Sequence, residues 1–200
     1  SQFILLFERM TKLYTRDYAW LFFALAAAPV MMFGLSLPLD EAKDRHTLLF
    51  LATLLAFFFG IFPAIEMVHS ERTIYMRERM VNLKIPSYLL SKLVFLMAFG
   101  MIQSFFITAV LVWFVRIDAA FTPCFLTLFS VQLTGSAMGI FFSTLAESAK
   151  VALSLMLMWV VMMLAFSGFL MKLPDLRDSG SEWILAPSSM RWGLGSLMSL

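Results

Sequence analysis

Charge is scarce in this sequence. Lys, Arg, Asp and Glu make up 14% of 200 residues, where a soluble domain carries about a quarter. The net charge of +2 gives no electrostatic footprint for nucleic acid. One cysteine, Cys124, excludes an internal disulfide and any multi-cysteine metal site. Catalytic signatures are missing too. There is no H-E-x-x-H zinc motif, no G-x-S-x-G elbow and no phosphate-binding P-loop. The segment therefore has no catalytic residues of its own to offer and cannot hydrolyse ATP by itself. No secretory signal peptide is visible, and no solenoid repeat or low-complexity tract interrupts the pattern.

What the chain has instead is apolar length. Hydrophobic residues reach 61%, with 22 Phe and 16 Met. Several runs attain the 18–20 residues that a bilayer-crossing helix needs. The pattern predicts an all-α membrane protein, a polytopic helical bundle. Spans are expected at about 19–37, 47–68, 86–115, 124–145 and 151–171. Pro29 and Pro63 lie inside the first two, which neighbouring helices can tolerate. Residues 182–200 read as an external or re-entrant segment or the start of a sixth span. The chain opens on Ser1 and stops inside an apolar pattern, so it is expected to be part of a longer polypeptide.

Residues 1–18 have a different character. Phe3, Leu6, Phe7, Met10, Leu13 and Tyr14 recur at helical spacing, with Glu8, Arg9, Lys12, Thr15 and Arg16 on the other face. This is an amphipathic helix suited to a membrane surface or to packing on a protein domain, and both readings stand.

The scarce charge is concentrated. From Glu66 to Lys92 lie three Glu, three Arg, two Lys and a His. With the N-terminus inside, nine Lys and Arg fall on cytoplasmic segments and six outside, and eight of the nine lie at or before Lys92, against two in the first outer loop. The positive-inside rule therefore places this stretch in the cytoplasm. Its centre, about 70–83, contains no Gly or Pro and reads as a helix, with Ser70 placed to cap it. Its acids lack helical partners. Glu71 faces Met67 and Tyr75 at four-residue spacing, and Glu78 faces Ile74 and Asn82. Such charges either sit in water or find partners on another protein surface.

Within the spans, polar groups are few. Glu66 ends the second span, where a structural contact and a place in a translocation path both remain open. No span holds a pair of acids, which disfavours an aspartyl protease. His46 and His69 occupy loops on opposite sides and share no site. Gly135, Gly139 and Ser143 are four apart, a small-residue face for close helix contact. Gln103, Ser104 and Thr108 read as packing groups of the third span.

The order of these elements resembles the membrane domain of ABC-2-type exporters, most closely the G-type ABC transporters. Three motifs carry the likeness: "AIEMVHSERTIYMRERM…PSYLLSKLV", "FSGFLMKLPDL" and "LAPSSMRWGLGSLM". The resemblance implies a role for particular residues. Glu71, Arg77, Glu78 and Arg79 fall on the helix that couples to the ATPase domain. Glu66 falls on the acidic position of a polar relay. Phe59, Val161 and Leu164 fall on the walls of the substrate cavity, and Phe169 and Leu170 on the plug above it. The first plug residue is Phe rather than Leu, and Gly195 or Ser196 stands near where the family has an acid. Ala56, not an asparagine, lies one turn before Phe59, so a multidrug substrate does not follow.

The resemblance further implies an ABC ATPase domain upstream on the same polypeptide, binding ATP and Mg2+, with residues 1–18 as the connecting helix. It implies a second permease copy, forming a homodimer, working by alternating access in a plasma or bacterial inner membrane. No metal or cofactor is expected in the segment itself. Two other readings are an ABC-2 permease for polysaccharide or antibiotic export with its ATPase on a separate chain, and a membrane scaffold subunit without transport.

Overall fold

The computed structural model describes residues 2–16, 18–39, 44–72, 75, 85–115, 120–165 and 189–198. Among them every regular element is helical. In chain order these are α1 (Gln2–Arg16), α2 (Tyr18–Ser36), α3 (Arg45–Ser70), α4 (Ile85–Ala109), α5 (Phe121–Leu145), α6 (Ala149–Ala165) and α7 (Ser189–Met198). A π-helical turn, Val110–Phe114, extends α4. Among the described residues three helices are long and apolar enough to cross a membrane: Arg45–Ser70, Pro86–Phe114 and Phe121–Leu145. At 26 residues, α3 rises about 39 Å, against a hydrocarbon core of about 30 Å. The ten residues of α7 rise only about 15 Å, half that thickness.

The bundle is organised around α3, of which 15 residues are buried. Its nearest partner is α5. Their backbones meet because glycine faces carbonyl at three successive levels. A Cβ on Gly60 would lie 2.2 Å from the Gln132 carbonyl oxygen, one on Gly135 2.5 Å from that of Phe57, and one on Gly139 2.6 Å from that of Ile61. Hydroxyls stitch the same seam. Ser136 Oγ donates to the Gly60 carbonyl at 3.2 Å and Ser143 Oγ to that of Ile65 at 3.4 Å. In lipid there is little hydrophobic force between helices, so close contact of this kind is what associates them. The main core, including Met32, Phe57, Ile61, Leu111, Leu128 and Met156, fills the space around this pair.

The α1 helix docks on its own bundle. Leu6 and Met10 are buried, and Met10, Phe7 and Tyr14 pack with Met67, Val68, Phe95 and Ile140. Leu13, expected on the same face, stays 54% exposed, and Ile4 and Leu5 are exposed as well. On the outer face Lys12 Nζ donates to Glu8 at 2.6 Å. That hydrogen bond and charge hold the Glu8 carboxyl below its ordinary value.

A coupling junction and an apolar groove

The end of α3 differs from the expected layout. Ser70, expected to open the cytoplasmic helix, is the last residue of α3. Its hydroxyl bonds back to the Met67 carbonyl at 3.3 Å and lies 3.5 Å from the Tyr14 hydroxyl of α1. The chain then turns at Glu71, and Tyr75 N–H closes on the Glu71 carbonyl at 2.8 Å. Glu71 therefore stands where one helix ends and the next turn begins.

Glu71 is not a free charge. Its side chain is 3% exposed and pairs with Lys92 Nζ of α4 at 2.9 Å, while Arg9 of α1 stands 3.9 Å away. The Lys92 side chain is fully buried. It also donates to the Met67 carbonyl at 2.7 Å, one of the last carbonyls of α3 left without a helical donor. Its ammonium sits 4.8 Å from the centre of the Tyr88 ring, which packs on Tyr75 at 4.7 Å. One buried cation thus satisfies a carboxylate, a helix end and an aromatic face. Glu71, expected in water or on another protein surface, is paired within the chain, with Lys92 and Arg9. The signal was present in "YLLSKLVFL", because a lysine inside an apolar helix must find an anion or a carbonyl. The partnerless Glu71 was the available anion.

Arg77, Glu78 and Arg79 lie outside the described residues, as do Phe169 and Leu170. Gly135, Gly139 and Ser143 sit on the α3–α5 seam. Past the first turn and before the last, the residues of α3 that are not buried are Leu51, Leu54, Phe58, Phe59, Phe62 and Glu66. They fall at helical spacing on one face. Leu51 and Glu66 are 15 positions apart, so this stripe runs about 22 Å along α3.

The stripe forms one wall of an apolar groove of about 520 Å³, completed by Ala27, Met31 and Leu35 of α2 and by Gln103 of α4. Phe58 and Phe62 stack along it at 5.6 Å. Glu66 is the single ionisable side chain among its described lining residues. Within one chain the structure brings Phe59 and Glu66 together but does not bring Val161 to them. Val161 is 64% exposed on α6, and Leu164 packs against the main core.

Gln103 is held from behind. Gln132 of α5 donates to Gln103 Oε1 and accepts from Ser104 Oγ at 2.5 Å, all three buried. Gln132 is the bridging residue that sequence patterning passed over, because one glutamine among small residues resembles any packing position. Replacing it with Leu removes the acceptor of the Ser104 hydroxyl and a donor to the Gln103 carbonyl. Hydrogen bonds inside membrane proteins are worth about 0.6 kcal/mol on average and about 1.7 at most. Gln132→Leu should therefore lower thermal stability in detergent modestly, by about 1 kcal/mol. An unchanged unfolding midpoint would show that the network contributes nothing to the fold.

Residues 1–200, the whole chain, match the model of the family described as ABC-2 type transporter. The chain belongs to the ABC-2 type transporter family. Comparison with curated protein sequences finds no match. Membership and the three long apolar helices make this ABC-2 domain an integral membrane protein, the permease part of an ABC transporter. Permeases of this family work with an ABC ATPase.

Proposed function

We propose that the chain is the permease of a G-type ABC exporter. In this reading it works as a dimer by alternating access, with its N-terminus cytoplasmic and its ATPase domain, which binds ATP and Mg2+, upstream on the same polypeptide. The observation that carries it is the anchored junction. The charged segment after α3 begins at a carboxylate clamped between α1 and α4. Force applied to residues 76–84 by an ATPase domain reaches α1, α3 and α4 through a rigid, buried contact rather than through a slack loop. Transport needs such a rigid-body link. The amphipathic α1, docked beside the same carboxylate, suits a connecting helix between the ATPase domain and α2.

The groove beside Phe59 suits the transported molecule. Its walls are aliphatic and aromatic over about 520 Å³, the composition and size of a small-molecule site. An apolar or amphipathic substrate follows. A second copy facing this side would bring a second groove and the exposed Val161 face toward it, enclosing a shared cavity.

The test uses the full-length protein in lipid vesicles, measuring ATP hydrolysis together with movement of an amphipathic substrate. The wild type should show both. Glu78→Ala should keep hydrolysis and lower transport per ATP about fivefold or more, the usual scale of coupling between sites. Absence of ATP hydrolysis in the wild type would end the transporter reading. Unchanged transport in Glu78→Ala would end the assignment of the cytoplasmic helix.

A further inference from the structure

The residue after Glu71 makes a second connection, in the opposite direction. Arg72 Nη1 donates to the Ala146 carbonyl at 2.8 Å and to the Glu147 carbonyl. These carbonyls lie just past the end of α5, in the turn to α6. The Ala146 N–H closes on the Phe142 carbonyl at 3.0 Å, so the helix ladder ends there and the following carbonyls need an outside donor. A guanidinium is suited to that position twice over. It offers several N–H groups in a fixed fork, and its charge complements the negative end of a helix. The contact joins residues 74 and 75 positions apart in the chain.

Adjacent residues on a helical turn point about 100° apart. Glu71 and Arg72 accordingly reach to different sides of α3. Glu71 holds α4 and α1; Arg72 holds the turn between α5 and α6. We propose that Arg72 is a positioning residue that carries movement of the segment following α3 to the α5–α6 turn, so that this segment drives two groups of helices from two consecutive residues. The inference rests on the permease reading above and adds to it a second line of transmission, to the half of the bundle that Glu71 does not touch. A side chain that merely decorated the surface would have no reason to place its charge on two carbonyls of a distant turn. The α5–α6 turn is exposed at Glu147 and Ser148, as is Lys150 at the start of α6, so it is free to follow such a pull.

The experiment uses the full-length transporter in lipid, with Cys124 and every other cysteine of the full-length protein replaced by Ala, and Lys150→Cys, at the start of α6, carrying an environment-sensitive fluorophore beside the turn. ATP should change the fluorescence of this parent protein. Arg72→Gln should abolish that change and lower transport per ATP about fivefold or more, with basal hydrolysis within about twofold of the parent. Arg72→Lys, which restores a cation and a donor, should recover most of both signals, a recovery that loss of folding would not permit. A fluorescence change of parental size in Arg72→Gln would overturn the proposal, as would equal loss in the Lys and Gln variants. A parent protein that neither hydrolyses ATP nor responds to it would instead overturn the permease reading, and this inference with it.

Discussion

Lys92→Met is expected to lose about 3–5 kcal/mol of stability, the cost of leaving a buried charge without its partner. Three observations set that expectation. The Lys92 side chain is fully buried, Glu71 is 3% exposed, and their charged atoms are 2.9 Å apart. The substitution also removes the donor to the Met67 carbonyl. Arg9, 39% exposed and 3.9 Å from Glu71, can swing inward and offset part of the loss, which places the result toward the lower end of the range. Lys92→Met combined with Glu71→Gln should recover most of the stability, since a neutral pair of similar volume removes the stranded charge. Unfolding midpoints of the three variants in the same detergent provide the measurement. A single variant as stable as the wild type would mean that water reaches the pair. A double variant no better than the single would mean that the Met67 bond, not the ion pair, dominates. In the transport assay the double variant should still perform poorly, because it restores stability without restoring the clamp.

The second large effect is expected at the α3–α5 seam. Gly60→Ala and Gly135→Ala each place a methyl group within 2.5 Å of a backbone oxygen. Rotation of a side chain cannot relieve contact with backbone, so the helices must part. Overpacking of this kind costs about 1–3 kcal/mol per site, occasionally more, and a leucine at either position should prevent folding of the bundle. The two alanines should be less than additive, because helices already parted by the first accommodate the second. Gly34 and Gly195 are the controls. A Cβ there meets nothing within 4 Å, and alanine in an open helical position is expected to gain about 0.5–1 kcal/mol. Equal effects at Gly34 and Gly135 would refute the close-approach account.

The candidate site was partly legible before the structure. Gly135, Gly139 and Ser143 stood out by spacing, since four-residue periodicity of small side chains marks one helix face whatever its partner. The identity of that partner, α3 through Phe57 and Ile61, was not legible, because periodicity names a face and says nothing of what meets it. Glu71 shows the limit from the other side. Local spacing identified it correctly as lacking a partner four residues away, yet its partner is Lys92, 21 positions downstream and on another helix. Arg72 carried no local signal at all, as its acceptors are carbonyls, which every residue possesses. Phe59 and Glu66 lie on one uncovered stripe of α3. That stripe became visible only when burial removed the other faces of a helix that is apolar nearly all round.

The sequence by itself determined that this chain is a bundle of apolar helices and that its charge gathers in one stretch. Those properties follow from composition and period, because a backbone in lipid must satisfy its own hydrogen bonds locally. The tertiary structure alone decided which charges meet, which helix pair closes to backbone contact, and where the groove opens. Each of these depends on distances between residues far apart in the chain. An apolar helix carries little record of its partners, since lipid and neighbouring side chains are alike to it, and only the packed bundle distinguishes the face that touches protein from the face that does not.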